Sequence, residues 1–280
     1  MRRLVRTILR DRAGALGLLI IVLASGIALT GPWIAPYPDD AFETDLMSRL
    51  EAPSAAHWMG TDDLGRDVFS RVILGTGNAL SVAIGVVAAS LAIGVPLGLL
   101  AGYREGLVGN AIMRVTDIFL AVPSLILAIA LAQLLHAGLG GAILALTLSY
   151  WPHFCRSVYA ETKAAKTSTF VEALQSLGAG ASRVVFLHIL PNTASPIIVR
   201  STVGMGFIIM TAAVLGFLGV GVPPPTPDWG AAIASSRDHL PEAWWLVTFP
   251  GSAIFLCVLG FNLLGDGLRD AIDPRLRTAP

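Results

Sequence analysis

The sequence predicts an all-α integral membrane protein with six transmembrane helices. Three observations carry that prediction. Of 280 residues, 54% are hydrophobic and only 14% charged, against about 25% charged in a typical soluble domain, and the mean hydropathy is +0.71. Five stretches hold no Asp, Glu, Lys or Arg: Ala13 to Pro38, Val72 to Tyr103, Ile118 to Cys155, Ser201 to Pro227, and Ala243 to Gly265. Each is long enough for the roughly 20 apolar residues that one crossing needs. Finally, the 19 Lys and Arg divide unevenly between the two sides those stretches define.

The first stretch follows Arg2, Arg3 and Arg6 and ends in Gly31-Pro-Trp-Ile-Ala-Pro36. It is long for a signal-peptide core and lacks a small-residue cleavage site, so it reads as an uncleaved helix. The second carries two small-residue stripes at four-residue spacing, Gly77, Ser81, Gly85, Ala89 and then Ser90, Gly94, Gly98, Gly102. Residues four apart share a helix face, and small ones let backbones approach where lipid removes the hydrophobic drive to associate. The third stretch is too long for one helix and is divided at the turn-like His136-Ala-Gly-Leu-Gly-Gly141. Pro96 and Pro123 are expected to kink their helices.

With the N-terminus inside, only Arg49, Arg66, Arg71 and Arg237 fall outside, and the other fifteen of the 19 lie on the cytoplasmic side. That is the positive-inside bias, and it puts both termini in the cytoplasm. The expected domain division is 1–71, an N-terminal helix with an extracytoplasmic loop, and 72–280, a core of five further helices. A second outer loop runs from about Val222 to Glu242, and one large cytoplasmic loop spans about 156–200. Trp229, Trp244 and Trp245 are read as aromatic anchors at the membrane surface.

Several chemistries are missing. No ionisable residue need sit at mid-membrane, which argues against an ion-coupled secondary carrier. Asp117 and Asp266 are the pair an intramembrane aspartyl protease would need. Arg114 and Arg269 lie beside them, so helix-end anchoring is the simpler reading. The five histidines lack metal-ligand spacing, and Cys155 and Cys257 read as packing residues. No Gly-x4-Gly-Lys-Ser/Thr phosphate loop occurs, so this chain binds no cofactor, and any ATP or Mg belongs to other subunits. The net charge of zero gives no reason to expect nucleic acid. The chain is not read as an enzyme.

The cytoplasmic loop is the most informative segment. Helical composition from Ser157 to Leu177 meets a break at Gly178-Ala-Gly180. A second helix is expected from Ser182 as N-cap to Pro191 as stop. Two short helices on a glycine turn, tethered at both ends, suit docking to a cytoplasmic partner better than binding DNA.

Glu172-Ala-Leu-Gln-Ser-Leu-Gly178, followed by His188-Ile-Leu-Pro-Asn192, resembles the EAA loop of ABC importer permeases, with Leu174 where a second alanine often stands. Three more stretches narrow the resemblance to the C-type permeases of the dipeptide/oligopeptide/nickel group: His57 to Arg71, Gly216 to Gly230, and Phe261 to Arg275. The resemblance implies the type I ABC importer permease fold, like that of the methionine importer, with a cytoplasmic coupling helix. It implies a multi-pass protein of the bacterial cytoplasmic (inner) membrane, surrounded by lipid. Its implied partners are a second homologous permease, two ABC ATPase subunits and an extracytoplasmic solute-binding protein.

By the same resemblance, Glu172, Ala173, Gly178, Ala179, Arg183, His188, Leu190 and Pro191 couple to the ATPases. Asp62, Asp63, Arg66, Asp67, Asp228 and Trp229 fall in the outer segments expected to meet the binding protein. The first outer loop holds eight acids against three arginines, and Gly60 to Asp67 reads first as a structural turn with Arg66 pairing locally. Peptides are the expected cargo, with nickel, a metal chelate or glutathione as alternatives.

Overall fold

A computed structural model of the chain describes residues 7–39, 41–104, 106–135 and 138–272. Arg2, Arg3, Arg6, His136 and the Asp273-Pro-Arg275 end of the C-terminal stretch lie outside the described residues. The helices are α1 (Arg12–Ile34), α2 (Val68–Tyr103), α3 (Leu107–Ala121), α4 (Ser124–Leu134), α5 (Leu139–Lys166), α6 (Thr169–Ser176), α7 (Ala181–Phe217), α8 (Trp229–Ser235) and α9 (Trp245–Ile272). Aspartates start three of them. Asp11, Asp67 and Asp228 accept the otherwise unpaired backbone N–H groups of Gly14, Ser70 and Ala231 at 2.6–2.7 Å.

Four helices, α1, α2, α7 and α9, are long and apolar enough to cross a membrane, and α3 with α4 makes a fifth if counted as one span. These account for four or five of the six crossings expected from the sequence. The third begins at Leu107, well before Ile118, and bends by 90° between α3 and α4, at Val122-Pro123. Pro123 explains the break: it has no N–H to give and disfavours helical backbone in the residue before it. Pro96, in contrast, sits inside an unbroken α2. The fourth expected crossing, α5, is not among these spans, because its second half carries His153, Arg156, Glu161, Lys163 and Lys166.

α5 is nevertheless among the best-packed helices. It runs parallel to α2, with Gly94, Gly98 and Gly102 backed against Phe154, Cys155, Val158 and Thr162. This is the second small-residue stripe. The first makes no such seam: Ser81 is exposed, and Gly77 and Gly85 meet only Ala28 and Ile143. α1 lies antiparallel on α9, Gly17 against Gly260 and Leu264, while its Leu19, Val22, Leu23 and Leu29 face outward, as lipid contact requires. The main core joins Val86, Leu146, Phe154, Ile208, Ile209 and Phe261. Cys155 and Cys257 are free, buried thiols within the packing.

The cytoplasmic loop is shorter than expected, because α5 continues to Lys166 and α7 begins at Ala181. Gly180, not Ser182, is the N-cap of α7. Pro191 does not end the helix. A π turn over Val185–Ile189 shifts the hydrogen-bond register, with Leu190 N–H reaching Val185 O. Pro191 then falls in the first turn of the following α segment, where a missing N–H costs little. The second outer loop contains α8.

Candidate functional sites: an outer cap, an inner loop and a cytoplasmic cavity

The outer cap is built on Asp62. Its Oδ1 accepts the N–H groups of Leu64 and Arg66 at 2.9 and 3.0 Å, and its Oδ2 takes Arg66 Nε at 2.7 Å. Arg71 Nε stands 3.6 Å from the same oxygen. Arg71 also donates to Ala41 O in the first outer loop at 2.5 Å and Pro225 O in the second at 3.3 Å, so one guanidinium ties both loops to the start of α2. Thr61 and Asp67 form a short bridge, and His57 Nδ1 lies 2.9 Å from Asp67 Oδ1. The local pairing expected for Arg66 is present.

The remaining outer residues are structural in their placement. Asp62, Arg66 and Asp67 are buried, and Asp63 Oδ1 is buried with no hydrogen-bond partner among the described residues. Trp229 and Trp245 are 4% and 6% exposed, which corrects their reading as membrane-surface anchors; only Trp244 remains exposed. Their indole N–H groups explain the burial, donating to Val72 O at 3.1 Å and Thr61 O at 3.2 Å. Of the residues that organise the cap, sequence reasoning passed over Arg71 and Asn78, whose Nδ2 donates to Pro227 O at 2.8 Å. The signal was a cation and an amide in the first turns of an otherwise apolar span.

Asp228 caps α8 from a half-buried position. Burial pushes its carboxyl above the ordinary range, against the opposing pull of the Ala231 and Gly230 N–H groups and the Arg71 charge. An asparagine there would keep the capping acceptor without a half-buried charge. Asp228→Asn is therefore expected to melt at or slightly above the wild-type temperature, while Asp228→Ala loses about 1 kcal/mol. Thermal denaturation of the purified variants decides it; an Asn variant as weak as the Ala variant would show that the charge itself is needed.

On the other side, α6 and the first turns of α7 rest on their own apolar cluster of Leu99, Val158, Val171, Val184, Val185 and Ile189. Ala179 and Leu190 pack against it from the edge. Glu172, Ala173, Gly178, Arg183 and Pro191 are exposed, and His188 is half-buried. Gly178 turns the chain at φ +80°, a left-handed conformation that favours glycine, with open space around it. Around Glu172 the loop exposes Phe170, Phe186, Leu187 and Leu177, the last 85% exposed. Exposed apolar side chains and charged ones therefore share this loop.

Between α5, α7 and the inner end of α9 lies an open cavity of about 1020 Å³. Tyr150 and His153 form one wall, ring centroids 5.2 Å apart, and Phe207 stacks on Tyr150 at 5.6 Å. Arg200 and Arg269 stand at the rim. Sequence reasoning left residue 200 at the end of the cytoplasmic loop and gave no role to Arg200, Tyr150 or His153. The spacing of Tyr150, His153 and Ser157, at i, i+3 and i+7 on an apolar helix, was the available signal.

With this geometry in hand, comparison with known proteins is direct. Residues 94–278 match the family described as binding-protein-dependent transport system inner membrane component. Residues 1–53 match the N-terminal transmembrane domain of oligopeptide transport permease C. The di/tripeptide transport system permease protein DppC of Pseudomonas aeruginosa is 45% identical over 271 residues, covering 95% of this chain and 89% of that protein. The dipeptide permease DppC of Escherichia coli K12 is 46% identical over 272 residues, covering 96% and 91%. The glutathione permease protein GsiD of Pectobacterium atrosepticum is 41% identical over 274 residues, covering 98% and 90%. Among solved structures, the inward-facing methionine ABC transporter MetNI matches with a TM-score of 0.59 at 21% identity, over 73% of this chain and 98% of that one, a likeness of fold. The chain belongs to the family of binding-protein-dependent transport inner membrane components, and it is a multi-pass permease subunit of the ABC importer class.

Proposed function

We propose that this permease forms half of a heterodimeric path that imports di- and oligopeptides. A solute-binding protein delivers them outside, and two ATPase subunits that bind ATP and Mg drive the movement from inside. The observation that carries the energy-coupling half is the cytoplasmic loop. Glu172, Ala173, Gly178 and Arg183 stand on an exposed, partly apolar face, while the cluster beneath ties that face to α2, α5 and α7. Ala179 and Leu190 pack at its base, and His188 and Pro191 stand beside them. A push on such a face moves packed helices as a unit, which is how a remote subunit biases a two-state bundle.

The peptide assignment is supported by relatives named for di/tripeptides and dipeptides across nearly their whole length. Glutathione, itself a tripeptide, is the second reading, favoured by the GsiD likeness. In the proposed topology α5 is the further crossing, since it lies parallel to α2 along the glycine seam. That makes six spans with both termini inside. The division at about residue 71 separates α1 and the outer loop from the remaining core, although α1 packs on α9. Asp62, Asp63, Arg66, Asp67, Asp228 and Trp229 serve binding-protein docking by holding the shape of the outer cap.

Co-purification with the ATPase subunits tests the coupling reading. Wild type is expected to retain them, and Glu172→Lys and Gly178→Asp to release them or to separate ATP turnover from uptake. Retention and coupled turnover in both variants would move the docking face elsewhere. Uptake by the permeases without any ATPase would overturn the importer reading.

A further inference from the structure

The cavity between α5, α7 and α9 has an uneven charge. Two guanidiniums, Arg200 and Arg269, reach it, with His153 between its walls, and no Asp or Glu lines it among the described residues. Neither arginine makes an ion pair among those residues. Two unpaired cations at the mouth of one cleft repel each other and gain from a shared anion. The inner wall is of another kind. Tyr150 and Phe207 are stacked with their planes 20° apart, and Gly204 leaves room for the Tyr150 hydroxyl against α7. Asn192 and Ser195 add neutral hydrogen-bonding groups near the rim. At about 1020 Å³ the space is at the upper end of small-molecule sites.

A ligand suited to this arrangement is small, carries a carboxylate at one end and presents an apolar side chain from the other. We propose that the cavity is a cytoplasmic-side binding site for the free C-terminal carboxylate of a peptide cargo. Arg200 and Arg269 hold the carboxylate, and Tyr150 and Phe207 take an adjacent apolar side chain. The inference rests on the peptide reading and deepens it by placing cargo contacts on this chain. Arginine suits the role because its planar fork donates two parallel hydrogen bonds to a carboxylate. The site's position at the inner ends of α7 and α9 makes it a last station before release.

The test uses the assembled importer in nanodiscs, without nucleotide and without the binding protein, so that only the membrane subunits are read. Equilibrium binding of labelled Ala-Phe is compared with Ala-Phe amide, which lacks the negative charge, in nanodiscs made with and without anionic lipid. Wild type is expected to bind the acid at least about tenfold more tightly than the amide. Arg200→Gln and Arg269→Gln should each remove most of that preference, and Arg200→Lys should keep part of it. Equal binding of acid and amide, or Gln variants that discriminate like wild type, overturns the site. So does acid binding that appears only when anionic lipid is left out, which would assign the arginines to lipid headgroups. Uptake by the same complex with its binding protein separates the two failures. Peptide uptake without binding at this cavity sinks the site alone, whereas absence of any peptide uptake sinks the cargo reading.

Discussion

Asp62→Ala is expected to unlock the outer cap, at a cost of about 3–5 kcal/mol in local stability. The substitution removes an acceptor used by the Leu64 and Arg66 N–H groups and by Arg66 Nε. It also leaves Arg66 and Arg71, whose side chains are 8% and 10% exposed, facing each other without their shared carboxylate. An unpaired buried charge costs more than the pair was worth, so the loop should open and let water reach both guanidiniums. Limited trypsin digestion reads this directly, as new cleavage after Arg66 and Arg71, together with a lower melting temperature. Asp62→Asn keeps a carbonyl oxygen but not the charge and should fall between. A cap that resists trypsin in Asp62→Ala would show that the second loop and Trp245 hold it without the carboxylate.

Gly98→Leu is expected to abolish folded protein or reduce it severely. A Cβ at Gly98 would lie 2.7 Å from Cys155 O, 2.8 Å from Val158 Cβ and 3.1 Å from Tyr159 N. Two of those atoms are backbone on the facing helix, which cannot rotate away. The α2–α5 seam must therefore part, at an overpacking cost of about 1–3 kcal/mol before lost neighbouring contacts are counted. Leu99 and Val158 belong to the cluster under the cytoplasmic loop, so parting the seam also loosens the lever. Gly26→Leu is the control, because nothing lies within 4 Å of a Cβ there and the site is exposed. Size-exclusion profiles of the two variants decide the matter. A monodisperse Gly98→Leu protein with wild-type yield would mean that the helices do not meet as closely as the seam requires.

The candidate sites were legible to different depths. The turn of the cytoplasmic loop could be found from Glu172 and Gly178, because a sharp turn between two helical segments leaves a local signature. Its helix ends could not. Pro191 looked like a stop, and only the π turn ahead of it makes a continuous α7 possible. The outer cap showed the opposite pattern. Arg66 and its aspartates were readable as a local turn. The contact of Arg71 with Ala41 O and Pro225 O joins residues far apart in the chain, and no spacing rule reports it. The cavity was missed for the same reason, since its two arginines come from α7 and α9.

The sequence by itself determined that the chain lives in a membrane, where its charges cluster, and that small residues recur along α2 at the spacing close packing uses. Those properties follow from local composition and from a period of about four residues, and lipid enforces them segment by segment. Only the tertiary structure decided that Trp229 and Trp245 turn inward, and that Arg200 and Arg269 share a cleft. Each depends on partners distant in the chain. A tryptophan finds a carbonyl, or a polar stripe finds a cavity instead of lipid, only after the helices have packed.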